Sequence, residues 1–348
     1  MEQGVRLKVS QKGTAAKEEP ALETNQPAES ITVIVIPTYE DAAAQQLIKN
    51  LSTEYGTSFY LVVVDDGSIE NQVQSSWLDD VGVSGCILRL RKNVGHQAAI
   101  TVGINYALEN LSWQRLIIMD SDGEDTPRSS RQLLEVLDRK QIDIAVASRR
   151  SRVETIKFKV FYKFYKLIFF LLVGRTISFG NFMAMNRDAA RRLAASPDTW
   201  HHVAASVLNA KLRVTHCAID RGSRYTGASK MNFVSLVLHG FRGIMVFFDR
   251  VLVRISIVCI LCAVVAVVAM IAIASLKVMG LASPGWFSTL SGILVLILFQ
   301  VLILGLLSMF IAGSKRVALV SELDYSNLIH RVISVSGKST ASALKKYK

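Results

Sequence analysis

The stretch "LIIMDSDGEDTP", Leu116 to Pro127, carries four apolar residues straight into a run of carboxylates. Asp120, Asp122 and Glu124 alternate, so an extended chain points all three side chains the same way. Three negative charges facing one point at the end of a buried strand suit a divalent cation; a solvated acidic loop, with Asp125 and Pro127 starting the next helix, is the alternative. Other polar groups sit at equivalent places: "PTYED" at 37–41, "DDGS" at 65–68, "RKNVGHQAA" at 91–99 and "ASRR" at 147–150.

The elements that must hold these groups are legible as apolar runs. "ITVIVIP" (31–37), "FYLVVVDDGS" (59–68), "CILRLRKN" (86–93), "RLIIMDSD" (115–122) and "DIAVASR" (143–149) are Val- and Ile-rich and end in polar residues. With helical stretches at about 41–53, 95–110 and 128–139 between them, they predict buried parallel strands joined by crossover helices. Open α/β sheets bind ligands outside the carboxyl ends of their strands. The unusual polar residues collect there. The Rossmann G-x-G-x-x-G is missing from the strand ends, and "SGKST" near the C-terminus has Val332 where a P-loop needs its first glycine.

A second signal is apolar. Of 348 residues 51% are hydrophobic, and the mean hydropathy of +0.33 is high for a soluble enzyme. The excess is concentrated: 255–276 is uncharged and long enough to span a bilayer, and a second span runs from about 287 to 312 after a Pro-Gly turn. Arg242, Arg250 and Arg254 precede the first span, Lys315 and Arg316 follow the second, and Lys277 alone lies between. The positive-inside rule therefore predicts that the N-terminal region and both ends face the cytoplasm, as in a multi-pass protein of the inner membrane. The net charge of +12 fits an anionic membrane surface better than nucleic acid, because the basic residues lie beside apolar segments. "IKFKVFYKFYKLIFFLLVG" (156–174) and "MNFVSLVLHGFRGIMVFF" (231–248) read as helices lying in the bilayer surface. Cys259 and Cys262 fall inside the first span with no ligand-type neighbour, so packing is their expected role.

The ordered set "IPTYE … VVVDDGS … NVGHQAA … MDSDGEDTP … ASRR … RYTGASK", followed by two spans, resembles the family 2 glycosyltransferases of the GT-A fold. It is most similar to those that use polyprenyl phosphates, and the resemblance covers about 31–314. It implies an open, mostly parallel GT-A sheet (the nucleotide-diphospho-sugar transferase fold), then interface helices and a transmembrane hairpin. The expected division is a disordered tail at 1–30, a nucleotide-sugar-binding part at 31–155 and an acceptor part at 156–250. The two spans occupy 251–314, and 315–348 is a cytoplasmic tail.

The same resemblance assigns roles. Asp120 and Asp122 would hold Mg²⁺ or Mn²⁺ on the donor diphosphate, with Glu124 where the family commonly has Gln. Pro37, Tyr39 and Asp41 match the turn that contacts base and ribose, with Glu40 replacing the usual Asn. Asp65 and Asp66 match the carboxylates that read the base, and Asn93 and Gly95 belong to the same nucleotide site. Arg149, Arg224, Ser229 and Lys230 supply donors for phosphate, the last three in the R-x-x-G-x-S-K loop that closes over the donor. Asn181, in "SFGNFMAMNR", stands where the family usually has Asp. It cannot take a proton, but a phosphomonoester acceptor is already mostly anionic at neutral pH and needs only positioning.

The expected reaction is inverting, metal-dependent transfer of one sugar from a nucleotide-sugar donor to a polyprenyl phosphate such as undecaprenyl phosphate, and a homo-oligomer is compatible with it. Glycosylation of a polysaccharide or glycolipid is the alternative enzyme, although the Q-x-x-R-W signature is absent and two spans are few for a polymer channel. A non-catalytic nucleotide-sugar-binding membrane protein is the third reading; the retained charged residues weigh against it.

Overall fold

The computed structural model describes residues 31–149, 156–220, 222–225, 233–281, 285–318 and 324–337. The expected tail at 1–30 lies outside the described residues. The chain first lays down β1 (Thr32–Thr38), α1 (Ala43–Tyr55), β2 (Phe59–Asp65), α2 (Ser76–Asp79) and β3 (Gly85–Leu90). Next come α3 (His96–Asn110), β4 (Arg115–Ile118), α4 (Pro127–Arg139) and β5 (Ile144–Arg149). The expected helices are thus present within two residues at either end.

Three further strands carry no sequence expectation: β6 (Met183–Asn186), β7 (Val214–Ile219) and β8 (Ile329–Val335). They complete an eight-stranded sheet of order β7-β5-β6-β4-β1-β2-β3-β8, in which only β6 and β8 run against the rest. From β1 the chain moves outward through β2 and β3, then returns to place β4 on the other side of β1. The strand order therefore reverses between β1 and β4, and the crevice at their carboxyl ends is the ligand position for such a sheet.

Both faces of the sheet are buried. Along β1, Val33 and Val35 join the core under α3, α6 (Arg187–Ala194) and α7 (Val203–Asn209). Ile34 and Ile36 alternate into the opposite core, under α1 and α4. Each such fully buried side chain contributes roughly 1.5–3 kcal/mol. Pro37 is tolerated in this central strand because it lies past the last β1–β4 pair, Val35↔Ile118, where one side of the ladder has ended. At Gly103 helix α3 rides directly on the sheet: a Cβ there would lie 2.4 Å from Val35 Cγ1 and 3.1 Å from Val64 Cγ2.

Two helices leave an apolar side uncovered. In α5 (Ile156–Val173), Leu167, Phe170 and Leu171 are exposed while Phe169 and Val173 are buried. In α8 (Phe233–Met245), Leu238, Phe241 and Met245 are exposed at i, i+3 and i+7. Both helices are thus amphipathic, with apolar residues left exposed. Behind them α9 (Phe248–Val278) and α10 (Trp286–Ala318) pack on each other. Both are long and apolar enough to cross a membrane, and their side chains point mostly outward. Arg254 at the start of α9 donates from Nη1 to the carbonyls of Phe170 and Leu171 at the C-terminal end of α5, where Gly174 turns with φ +75°. One of the arginines expected to mark the cytoplasmic side thus ties α9 to α5.

The segment expected as a plain cytoplasmic tail is corrected in part. After α10 the chain returns to the sheet, and β8 pairs antiparallel along the whole of β3, Gly85↔Val335 to Leu90↔Ile329. Tyr325 is buried just before it, its hydroxyl donating to Glu109 Oε2 at 2.5 Å. Only Ile329, Ile333 and Val335 of "IHRVISV" are covered while His330, Arg331, Val332 and Ser334 are exposed, so this edge strand lacks the continuous apolar run of the buried ones.

Candidate active site

The crevice between β1 and β4 is bridged by one short contact, in which Ser121 Oγ donates to Asp41 Oδ2 at 2.5 Å. Asp41 also accepts from the Ala43 amide and starts α1. The turn after β1 leaves Tyr39 about half exposed, as a ring available to a ligand. Glu40 adopts φ +46°, and its carboxylate accepts the amides of Ile69, Glu70 and Asn71, which hold its acid below the usual range. The residue that departs from the family's Asn therefore fastens the first turn to the loop after "DDGS".

Asp65 and Asp66 are both buried. Asp65 accepts the Ser68 amide at 3.0 Å and faces Arg89 Nε at 3.6 Å. Asp66 spans the next loop: Oδ1 accepts Val94 N at 2.7 Å and Oδ2 accepts Gly95 N at 2.9 Å. Burial pushes its carboxyl up, and the two amides pull it partly back. Gly67, at φ +75°, allows this turn to lie against the Lys92–Asn93 backbone, where a Cβ would meet Asn93 N at 2.8 Å. Asn93 and Gly95 are thus positioned by Asp66. Substituting Asp66 with alanine strands two amides at once and is expected to lower stability by about 2–4 kcal/mol, read as a fall in the unfolding midpoint of the detergent-solubilised chain.

The three opening carboxylates do not lie on one extended strand. β4 ends at Ile118, and 120–125 forms a turn in which Gly123 takes φ +89°, Asp122 Oδ1 accepts the Glu124 amide, and the Asp120 amide donates to Asp125 Oδ2. Asp122 and Glu124 nevertheless converge: Arg224 Nη2 lies 3.0 Å from Asp122 Oδ2, and its Nε donates to Glu124 Oε1 at 2.8 Å. Asp120 is directed elsewhere, its Oδ1 3.2 Å from His96 Nε2 at the start of α3. No group of three metal-type donors converges among the described residues. Two carboxylates that share one guanidinium can share another cation, and their hard oxygens fit Mg²⁺ or Mn²⁺. Burial draws the His96 imidazole down, but Asp120, Asp125 and Asp66 outweigh it and raise its basicity.

Arg224 is held there by its neighbours. The Tyr225 amide donates to Asp122 O and the Gly222 amide to Glu124 O, while the Tyr225 ring covers Gly123 and its hydroxyl accepts from Asn50 Nδ2 at 2.7 Å. Asn181 lies two positions before Met183, which pairs with Ile118, so the register of β6 brings it beside the β4 turn. Its Oδ1 is buried with no hydrogen-bond partner among the described residues. Ser229, Lys230 and the side chain of Arg149 lie outside the described residues; the Arg149 backbone ends β5, at the same edge of the sheet.

Residues 33–194 match the family model for glycosyl transferase family 2. The chain carries a family 2 glycosyltransferase domain. An uncharacterised glycosyltransferase of Synechocystis sp. is 28% identical over 62% of this chain and 68% of its own length. Dodecaprenyl-phosphate galacturonate synthase of Rhizobium johnstonii is 27% identical over 38% of this chain and 40% of that protein. Among solved structures, glucosyl-3-phosphoglycerate synthase from Mycobacterium tuberculosis, in complex with Mn²⁺, UDP-glucose and phosphoglyceric acid, matches with TM-score 0.48 and 14% identity over 64% of this chain and 80% of that one. The mostly parallel sheet and its switch point are the GT-A arrangement, and the protein is a glycosyltransferase.

Several contributors to the glycosyltransferase site escape the sequence. His96 lies inside "NVGHQAA", yet a single histidine opening a helix shows its partner only once α3 and the β4 turn meet. Ser121 and Asn50 act through contacts 80 and 175 residues away along the chain.

Proposed function

We propose that this glycosyltransferase moves one sugar from a nucleotide-diphospho-sugar to a polyprenyl phosphate at the cytoplasmic face of a membrane. The observation that carries the reading is the pairing of a family 2 site with two helices, α5 and α8, whose apolar stripes face outward beside two span-length helices. A lipid acceptor requires that arrangement, because its tail stays in the bilayer while its phosphate enters the crevice. The relative from Rhizobium, named for a polyprenyl-phosphate product, supports it. The basic residues flanking the two spans support the cytoplasmic orientation.

In this reading the acceptor phosphate oxygen attacks the anomeric carbon, the bond from that carbon to the donor diphosphate breaks, and the nucleoside diphosphate leaves with the electron pair. Tyr39 and the turn it belongs to face the base, and Asp41 faces the ribose side. Asp66 holds the Asn93–Gly95 loop in place. Asp122 and Glu124 would hold Mg²⁺ or Mn²⁺, which supplies positive charge against the departing diphosphate when bound, while Asp120 faces His96. Arg224 lies within reach of the same charge, and Arg149, Ser229 and Lys230 keep the phosphate-binding role that the family resemblance gives them. Asn181 orients the acceptor without taking a proton, since a phosphomonoester with a pKa near 6 is already nucleophilic.

Membranes containing the protein, given undecaprenyl phosphate and labelled UDP-glucose, UDP-galacturonate, UDP-N-acetylglucosamine or GDP-mannose, are expected to move label into the organic phase from one donor. EDTA is expected to abolish the transfer. Donor-dependent labelling of a polysaccharide with none in the lipid fraction would overturn the proposed acceptor.

A further inference from the structure

The two faces of α8 differ in a way the sugar donor does not account for. Leu238, Phe241 and Met245 turn one side outward to the apolar surroundings. Gly240 packs on Tyr165 of α5, where a Cβ would lie 2.6 Å from the ring, so α8 is seated against its companion surface helix. The remaining side carries His239 and Arg242, three residues apart on one face. His239 stacks on His202, ring centroids 4.4 Å apart. Gly243, one residue past Arg242, would place a Cβ 3.1 Å from the same His202 ring, so this face of α8 is pressed on the catalytic domain at the start of α7. Arg242 reaches the loop before α3: its Nη1 lies 4.0 Å from where a Gly95 Cβ would stand.

The groups around this guanidinium are of both signs: Asp66 holds the Gly95 amide and Asp120 faces His96, while the His96 and His239 imidazoles lie on the same side. His96 is the next residue after Gly95, and His239 loses basicity first through burial and then through the positive charges of His96 and Arg242. Arg242 is exposed and has no ion pair or hydrogen bond among the described residues. Its fork is thus open to an anionic group from outside the chain. A solvent anion is the simplest candidate, but the position argues for a more specific one. Arg242 stands on the polar side of a helix whose other side faces the apolar medium, one residue from the His96–Asp120 contact of the donor site.

We propose that Arg242, with His239 behind it, is the docking point for the phosphate of the lipid acceptor, which α8 guides from the membrane surface to the crevice. Arginine suits the task because its fork binds two phosphate oxygens while its stem lies along apolar surface. The missing side chain of Gly95 leaves the phosphate room between the guanidinium and the donor. The proposal rests on the lipid-phosphate acceptor of the preceding section and assigns no role to Arg242 in holding the nucleotide.

The test compares the full-length wild type with Arg242→Gln and Arg242→Lys in detergent micelles. Arg242→Gln is expected to raise the KM for undecaprenyl phosphate at least tenfold, to leave the KM for the nucleotide sugar within twofold, and to be partly rescued by lysine. An unchanged lipid KM, or a donor KM that rises in proportion, overturns the assignment while leaving the proposed reaction intact. If the wild type transfers sugar to no polyprenyl phosphate, the reaction itself is wrong. The docking point is then decided by ³¹P NMR titration with farnesyl phosphate: broadening that Arg242→Gln removes sustains it, and broadening that is absent or indifferent to Arg242 overturns it.

Discussion

Replacing Asp122 with asparagine is expected to lower kcat/KM by about three orders of magnitude, roughly 4 kcal/mol of transition-state stabilisation. Asparagine has the same shape, and its amide oxygen can still accept the Glu124 amide, so the turn over 120–125 is expected to survive. What disappears is the charge, which the structure shows facing Arg224 at 3.0 Å with Glu124 beside it. With a single carboxylate left at that point, neither a divalent cation nor the departing diphosphate is matched. Mn²⁺ binding followed by EPR in the presence of nucleotide is expected to weaken with the rate, while the thermal midpoint stays within a few degrees of wild type. Activity within tenfold of wild type would remove Asp122 from the centre of the site.

Gly103→Val is expected to be the most damaging substitution away from the chemistry. Valine must place a Cβ 2.4 Å from Val35 Cγ1 and add two methyl groups behind it, in the middle of β1 and under α3. Overpacking of this kind costs about 1–3 kcal/mol where the surroundings can move, and here one neighbour is the central strand. A cost at or above the top of that range is expected, seen as a fall of many degrees in the temperature at which the solubilised protein aggregates. Gly103→Ala tests the balance, because its better helix propensity of about 1 kcal/mol opposes the same clash. Lifting α3 also displaces His96 and the loop held by Asp66, so surviving protein is expected to transfer sugar poorly. A valine variant as stable and active as wild type would mean that α3 sits farther from the sheet.

The parts of this protein that could be read from its sequence share a physical cause. Continuous Val and Ile runs ending in Asp, Asn or Pro report strands buried on both faces, and that signal located β1 to β5 and the edge where ligands bind. Uncharged runs of 20 residues or more report membrane spans for equally simple reasons. Strand β6 was lost because it is only four residues long, and β7 and β8 because they are only partly covered, so their hydrophobicity is diluted. The alternation of Asp120, Asp122 and Glu124 predicted a common direction, but a turn with Gly123 at positive φ sends Asp120 to His96 and the other two to Arg224. Pairings across 80 to 175 residues, such as Ser121 with Asp41 and Asn50 with Tyr225, leave no local trace.

The position of β8 bears on the order in which the molecule is made. β3 is synthesised early, yet the strand that covers its outer edge comes only after both membrane-length helices. Until the ribosome has delivered α9 and α10, the catalytic sheet has an open flank of unpaired backbone groups along β3, and such flanks invite pairing with other chains. Closure of the sheet therefore waits on both long helices: only a chain that returns after α10 to the flank where β3 lies can pair β8 with it. A chain that does not return there keeps its flank open, and β3 then presents the edge that the completed sheet conceals.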